Sequence, residues 1–241
     1  MKTGIIILGH DSGSPQGRSI VTRICSYLES EGHRNVFPAF HIGEPRSDVV
    51  IRKMFDENGI DTFSILPIMI SEGNLTIWNM PKRIGLPDNS GSWMMIGEHD
   101  VATRFATAMG ASDLMADAMQ SKLGKPDSDT GIIILTHGSE LSLAEKTAEY
   151  YSEKLKESGW KSVCAYTKTG PRDIGQAVRD LQEKGCGRFR IIPLTVTTDG
   201  RHFMKSIKEL DELGVDYELL GPVSDYPEFL QTMESKVPEG W

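Results

Sequence analysis

The sequence predicts an α/β protein of two similar lobes, each built on a parallel sheet and related to the other by internal duplication. The segment GIIILGH at 4–10 returns as GIIILTH at 131–137, and GIDTFSILP at 59–67 returns as GCGRFRIIP at 185–193. Apolar runs without alternation are typical of strands that are covered on both faces. A repeat that spans half of the chain indicates two lobes, because solenoid repeats are only about 20–50 residues long.

The first half alternates between predicted strands and helices. Its first helix has Ile20, Ile24 and Leu28 on one face, which is the spacing of an amphipathic helix. The predicted strands cover residues 4–9, 35–41, 62–70 and 93–96. The predicted helices cover residues 16–31, 47–58, 77–84 and 101–123.

The second half repeats this order after a polar, helix-breaking linker at 125–129. We therefore predict an N-terminal lobe at 1–124 and a C-terminal lobe at 130–241. Short connections between alternating strands and helices favour right-handed crossovers and a flavodoxin-like strand order, 2-1-3-4, in each lobe. The predicted strands of the second lobe lie at 131–136, 163–167, 188–197 and 217–220, and its helices at 143–157, 174–183 and 203–212, with a closing helix after them.

The composition predicts a globular protein of the cytoplasm. The chain has 39% hydrophobic and 25% charged residues, and no stretch approaches the ~20 apolar residues that span a bilayer. No membrane partner or signal peptide is expected, because the first strand begins directly after Met1-Lys2-Thr3. A net charge of −8 without a basic cluster disfavours nucleic acid as a partner. The three cysteines lack CxxC spacing and are expected to be reduced. No nucleotide is expected, because no GxGxxG or GxxxxGKS motif follows a strand.

Histidines follow the first strand of both predicted lobes. His10 and His137 occupy equivalent positions, and His202 comes just after the third strand of the second lobe. Ligand sites of parallel sheets lie at the carboxyl ends of the strands, and the first and third strands are neighbours in the 2-1-3-4 order. We therefore expect His137 and His202 to face one cleft, as a metal or proton-transfer site. For each histidine taken singly, a hydrogen-bonded structural role is the alternative.

The order of these motifs resembles one enzyme family. The segments THGSE at 136–140, IIPL at 191–194 and GRH at 200–202, with the strand end at Gly221, resemble the class II tetrapyrrole chelatases of the sirohydrochlorin cobaltochelatase type. The resemblance covers essentially the whole chain as two family units. It implies a lyase that inserts Co²⁺, Ni²⁺ or Fe²⁺ into sirohydrochlorin without ATP, with Co²⁺ as our first choice. It also implies a place in cobalamin or other modified tetrapyrrole biosynthesis, and a monomer or homodimer.

The resemblance also implies roles for single residues of the second lobe. His137 and His202 fall on the family's two active-site histidines, where neutral imidazoles would hold the ion and accept protons. Arg201 and Ser139 would contact the carboxylates of the macrocycle. Their alternatives are an ordinary surface position for Arg201 and helix capping for Ser139.

The first lobe departs from the family pattern. Leu75 stands where the family's second histidine belongs, and a DSGS segment replaces the run that follows the first histidine. We expect this lobe to lack a complete site and to contribute His10, Glu72 or the pair His41 and Glu44 to the metal or the substrate.

Two further comparisons with the family pattern bear on function. The family's acidic residue at the end of the second strand aligns with His41 in the first lobe and Thr167 in the second, so neither copy has a carboxylate there. Because the motif of the first lobe is altered, a non-catalytic tetrapyrrole- or metal-binding descendant of a chelatase is the alternative function. A histidine phosphatase is disfavoured, because it needs an arginine immediately before the histidine, where Gly9 and Thr136 stand.

Overall fold

A computed structural model describes residues 2–11 and 13–240. Met1, Ser12 and Trp241, which the predicted lobes include, lie outside the described residues. The chain divides into two compact units: unit 1 comprises Met1–Met109 and Leu230–Trp241, and unit 2 comprises Gly110–Phe229. These units and the predicted lobes have different boundaries, because residues 110–124 group with unit 2 and residues 230–241 group with unit 1.

Unit 1 contains a five-stranded sheet. Its strands are β1 (Thr3–Gly9), β2 (Val36–Phe40), β3 (Thr62–Pro67), β4 (Trp93–Ile96) and β5 (His99–Phe105). Its helices are α1 (Pro15–Ser30), α2 (Ser47–Asn58) and α3 (Met80–Arg83), the last preceded by a π-helical turn at Leu75–Asn79. The order is β2-β1-β3-β5-β4, in which β4 runs antiparallel to β5 at the edge and the other pairs are parallel.

Unit 2 contains a four-stranded parallel sheet. Its strands are β6 (Thr130–Gly138), β7 (Lys161–Thr169), β8 (Arg188–Pro193) and β9 (Asp216–Leu219). The helices are α4 (Asp113–Leu123), α5 (Leu143–Glu157), α6 (Ile174–Glu183) and α7 (Arg201–Leu213), and the boundary with unit 1 falls inside α8 (Pro227–Glu234). The order β7-β6-β8-β9 with parallel pairing confirms the predicted order 2-1-3-4.

The two duplicated apolar segments form the central strands of the two sheets. The side chains of Ile5 to Leu8 in β1 and of Ile132 to Leu135 in β6 are at most 1% exposed. Strands that are covered on both faces select continuous apolar runs, as the sequence pattern predicted. Each central strand therefore carries the residue that follows it to the carboxyl edge of a buried sheet.

The predicted helix at 101–123 is wrong over its first part. Residues 99–105 form β5, and the helix that follows begins only at Asp113, where Ser112 caps it by accepting a hydrogen bond from the amide of Met115. In β5 the side chains of Val101, Thr103 and Phe105 are buried at alternate positions, which is the period of a strand. A turn at Gly97, with φ of 63°, pairs β5 with β4 as a hairpin.

Two further observations concern the cysteines and the helices. The three cysteines are buried and form no disulfide, which agrees with reduced thiols, and burial raises the pKa of Cys25 to about 12. Within residues 2–11 and 13–240, no helix has the length and apolar character that crossing a membrane requires.

Candidate active site

His137 lies in a bulge at the carboxyl end of β6. The register between β6 and β7 shifts between Thr136 and Gly138, so the strand ladder is interrupted at His137. Gly138 has φ of 79°, and a Cβ at this position would lie 1.6 Å from the carbonyl oxygen of Thr169. Only glycine fits there, and bulges of this kind re-aim the side chain that they carry. The bulge thus exposes an imidazole at the end of a buried strand.

The hydroxyl of Thr167 orients the ring of His137. A hydrogen bond of 3.2 Å joins Nδ1 of His137 and Oγ1 of Thr167, which lies near the end of β7. A hydroxyl both donates and accepts, so it can pair with either neutral tautomer. When the hydroxyl accepts from Nδ1, the lone pair of Nε2 is available to a metal ion.

His202 stands next to His137 at the neighbouring strand end. It is the second residue of α7, which begins after Gly200 in the connection from β8. The ring centroids of His137 and His202 are 5.6 Å apart, and the ring planes meet at 67°. Both residues are exposed at this edge of unit 2.

The spacing of these rings suits two ligands of one ion. Metal–nitrogen bonds of about 2.0–2.1 Å keep the centroids of two imidazoles on the same ion within about 6 Å of each other. In the part of the chain that the structure describes, no group of three or more His, Cys, Asp or Glu side chains could hold a metal ion. Two imidazoles alone would leave the remaining coordination positions to water or to nitrogens of a substrate.

The surroundings of His137 favour its neutral form. Partial desolvation lowers the pKa of His137, and electrostatic interactions with Lys168 and His202 lower it further. A neutral imidazole is the form that binds metals and accepts protons. His137 is therefore ready for either role at neutral pH.

Ser139 and Arg201 occupy the rim of this edge. The hydroxyl of Ser139 accepts a hydrogen bond of 3.2 Å from the amide of Leu141, so Ser139 stabilises the turn that leads into α5. The hydroxyl proton of Ser139 is not used in that contact. Arg201 is exposed at the first position of α7, directly beside His202.

Unit 1 brings together a different pair of histidines. His10 follows β1 and His41 follows β2, and their rings are stacked with centroids 5.8 Å apart and planes at 24°. The Nδ1 atoms of both rings are buried and have no hydrogen-bond partner among the described residues. A buried polar atom without a partner costs about 1–3 kcal/mol. Leu75, at the position of the family's second histidine, instead packs against the hydrophobic core.

Glu72 is held by contacts inside unit 1. One carboxylate oxygen accepts a hydrogen bond of 2.7 Å from the amide of Ala108, and the other accepts one of 2.6 Å from the hydroxyl of Thr76. These bonds tie the segment after β3 to the segment after β5. Glu72 therefore has a structural role in unit 1, and its contact with a metal or substrate stays a prediction. Glu44 is exposed, and its carboxylate accepts a hydrogen bond of 3.2 Å from the amide of Arg46.

Sequence reasoning missed two neighbours of His137. Thr167 was noted for the carboxylate that it replaces, but not as a hydrogen-bond partner of the ring, and Lys168 was not considered. Thr167 contacts the ring because the bulge places His137 opposite the end of β7, and the charge of Lys168 lies near enough to lower the pKa of that ring. The glycine after the histidine was the available signal, because a glycine inside a strand pattern often marks a bulge.

The fold and the exposed histidine pair define a chelatase-like α/β protein, and comparison with known proteins gives its family. The chain belongs to the CbiX family, whose model matches residues 4–125 and 131–239. The sirohydrochlorin cobaltochelatase of Methanosarcina barkeri is 26% identical over 131 residues, which cover 48% of this chain and 90% of that protein. The two matched ranges follow the predicted duplication.

Two solved structures show the same fold. SirB from Bacillus subtilis with Fe³⁺ matches with a TM-score of 0.76 and 14% identity, covering 98% of this chain and 94% of that one. A multi-domain protein from Deinococcus radiodurans with structural similarity to chelatases matches with a TM-score of 0.75 and 17% identity. That match covers 100% of this chain and 55% of the other, so this chain spans about half the length of the Deinococcus protein.

Proposed function

We propose that this protein is a sirohydrochlorin chelatase that inserts a divalent metal ion without ATP. Co²⁺ is the first choice of metal substrate, and Ni²⁺ and Fe²⁺ are the alternatives. The observation that carries the proposal is the pair His137 and His202, with ring centroids 5.6 Å apart at the carboxyl edge of the unit 2 sheet. Membership of the CbiX family and the sirohydrochlorin cobaltochelatase of Methanosarcina barkeri support it.

The chemistry asks two things of the protein. The hydrated ion must exchange water for ring nitrogens, and two N–H protons must leave the macrocycle as the divalent ion enters. Imidazole ligands suit Co²⁺, Ni²⁺ and Fe²⁺, and they bind these ions without the thiolates that would hold a transferable ion too firmly. A neutral imidazole also accepts a proton near neutral pH. Two exposed imidazoles therefore supply both functions.

The proposed roles follow from position and chemistry. His137 and His202 hold the ion and accept the departing protons, and His10 of unit 1 is a further proposed ligand or proton acceptor. Arg201 and Ser139 bind carboxylates of the macrocycle, through a guanidinium and a hydroxyl proton. We place the reaction in cobalamin or other modified tetrapyrrole biosynthesis in the cytoplasm, carried out by a monomer or a homodimer.

An anaerobic absorbance assay tests this function. Sirohydrochlorin is mixed with Co²⁺, Ni²⁺ or Fe²⁺, and the insertion rate with the wild-type protein is compared with the uncatalysed rate. We expect His137→Ala and His202→Ala to remove the acceleration. Arg201→Ala should raise KM for the macrocycle, whereas Lys208→Ala, which removes an exposed cation farther along α7, should leave KM unchanged.

Two results would decide against the proposal. If the wild-type protein binds sirohydrochlorin without accelerating insertion of any of the three ions, the chain is a binding descendant of the chelatases. If insertion is fast but unaffected by both histidine substitutions, the site lies elsewhere.

A further inference from the structure

We propose that β4, at the edge of the unit 1 sheet, is an interface through which two copies of this chain pair as a homodimer. Among the described residues, β4 (Trp93–Ile96) pairs with β5 alone, so its other side is an open sheet edge. An open edge presents unpaired N–H and C=O groups that can add a strand from another chain. The proposal rests on the geometry of this edge and does not depend on the proposed insertion reaction.

The other three sheet edges carry residues that discourage strand addition. β2 has a proline, Pro38, at its centre. β7 has Lys161 and Lys168, and β9 has Asp216 and Glu218. Prolines and charges of this kind protect sheet edges against pairing with other chains. β4 has the sequence WMMI, with neither a charge nor a proline, so among these four edges it alone is left able to pair.

The backbone groups of Trp93 and Met95 point away from β5. Ser92 and Thr103 form a hydrogen-bonded position of the hairpin, because the amide of Thr103 donates to the carbonyl of Ser92 at 2.8 Å. Residues of an antiparallel pair alternate between hydrogen-bonded and non-hydrogen-bonded positions. Met94, two residues after Ser92, therefore bonds to β5, whereas the N–H and C=O groups of Trp93 and Met95 are directed to the open edge.

The exposed side chains occupy the same two positions and fix the register of the dimer. Trp93 is 62% exposed and Met95 is 59% exposed, whereas Met94 is 1% exposed. With a twofold axis through Met94, Trp93 of each copy lies opposite Met95 of the other, on the same face of the joined sheet. Each Trp93 then exchanges both of its backbone hydrogen bonds with the opposite Met95, and an indole ring contacts a methionine sulfur. A shift of one residue would place exposed side chains opposite buried ones.

The charges beside β4 allow two copies to approach each other. The whole chain has a net charge of −8, so two copies repel each other in general. The groove that β4 forms with α2 and the end of α3 is balanced instead, because its lining includes three cations and three anions. These residues are Arg52, Lys53, Arg83, Asp48, Asp56 and Glu57. A twofold interface brings the same surface against itself, and a surface of mixed, balanced charge is complementary to its own copy.

The short strand predicts a weak dimer. Four residues per copy, with two exposed apolar side chains, make a smaller interface than the about 1,200–2,000 Å² of stable complexes. We therefore expect a Kd of about 10–100 µM. Pairing along the side of the sheet leaves its carboxyl edge open, so the insertion rate per chain should not depend on dimer formation.

Sedimentation equilibrium of the full chain tests the proposal. Between about 1 µM and about 1 mM, the average mass should rise from 26.7 kDa toward twice that value. Met95→Pro removes an outward N–H without removing a bond to β5, and it should weaken the dimer at least about tenfold. Trp93→Ala should weaken it to a similar extent, whereas Leu219→Ala, which removes an exposed apolar side chain from β9, should not. Urea unfolding at about 1 µM, where the chain is monomeric, checks that each variant is folded.

Amide hydrogen exchange gives a second measurement on the unchanged sequence. The amides of Trp93 and Met95 should exchange more slowly at about 1 mM than at about 1 µM, whereas the amide of Met94, bonded to β5 in both states, should not change. A chain that stays monomeric, with exchange independent of concentration, overturns the proposal and leaves this edge to a partner of different sequence. A dimer that persists unweakened in both Met95→Pro and Trp93→Ala overturns it as well, because its interface then lies elsewhere. Either result holds whatever the insertion assay shows.

Discussion

Removing the hydroxyl of Thr167 should slow metal insertion by loosening the ring of His137. Thr167→Val keeps the shape and β-branching of the side chain but deletes the group that contacts Nδ1 at 3.2 Å. A net hydrogen bond contributes about 0.5–1.5 kcal/mol, which corresponds to about 2- to 12-fold in rate or affinity. The bond is neutral, long and only half-buried, so we expect the lower part of this range, about threefold.

The assay compares insertion rate and Co²⁺ affinity in three variants. Thr167→Ser restores a hydroxyl and should recover most of the activity that Thr167→Val loses. Thr169→Val, a matched change two residues along β7, should leave both quantities unchanged. An equal loss in the valine and serine variants would refute the reasoning, because a positioning hydroxyl must be rescued by another hydroxyl. A loss confined to stability, with normal Co²⁺ affinity, would refute it as well.

Three other perturbations follow from the described contacts. Gly138→Ala should destabilise the chain by about 3–5 kcal/mol in urea unfolding, because its Cβ would overlap a carbonyl oxygen. Gly200→Ala, with open space and φ of −69°, should change stability by less than about 0.5 kcal/mol. Glu72→Leu should cost about 1–3 kcal/mol, because the amide of Ala108 and the hydroxyl of Thr76 would both lose their carboxylate acceptor. Burial lowers the pKa of His10 and of His41, so the unfolded chain binds more protons just below about pH 6.5, and the unfolding free energy should fall as pH decreases through this range.

Each of these expectations has a clear contrary result. Equal stability of Gly138→Ala and Gly200→Ala would contradict the bulge geometry. Wild-type stability of Glu72→Leu with a raised KM for the macrocycle would make Glu72 a substrate contact in place of a structural one. The pH dependence of the unfolding free energy is measured for the wild type and for His10→Gln/His41→Gln, and the second is subtracted from the first. If the remaining unfolding free energy rises as pH falls from 7 to 5, the burial of the two rings is contradicted.

The duplicated central strands and the order of the second sheet were predictable because burial on both faces leaves an apolar run in the sequence. The hairpin of β4 and β5 was not predicted, because a helix was expected from residue 101 onward, where the structure has β5. Alternate burial of Val101, Thr103 and Phe105 depends on how β5 pairs with β3, and that pairing involves residues distant in the chain.

Those features of the candidate site that depend only on strand order were predictable from the sequence. The proximity of His137 and His202 follows from two strand ends that are neighbours in the sheet. The contact of His137 with Thr167 depends on a register shift of one residue, which strand order does not reveal. The stacking of His10 on His41 likewise depends on local loop contacts after β1 and β2.

The discontinuity of unit 1 has a consequence for how the chain folds during synthesis. Unit 2 is continuous in sequence, so all of its residues are available before residue 230 has been made. Unit 1 needs its last segment, in which Glu234 accepts a hydrogen bond of 2.9 Å from Tyr27 and lies 3.4 Å from Nε2 of His33. Closing unit 1 is therefore an event of long sequence separation, and contacts of this kind form slowly and leave a partly folded chain exposed to aggregation in the meantime.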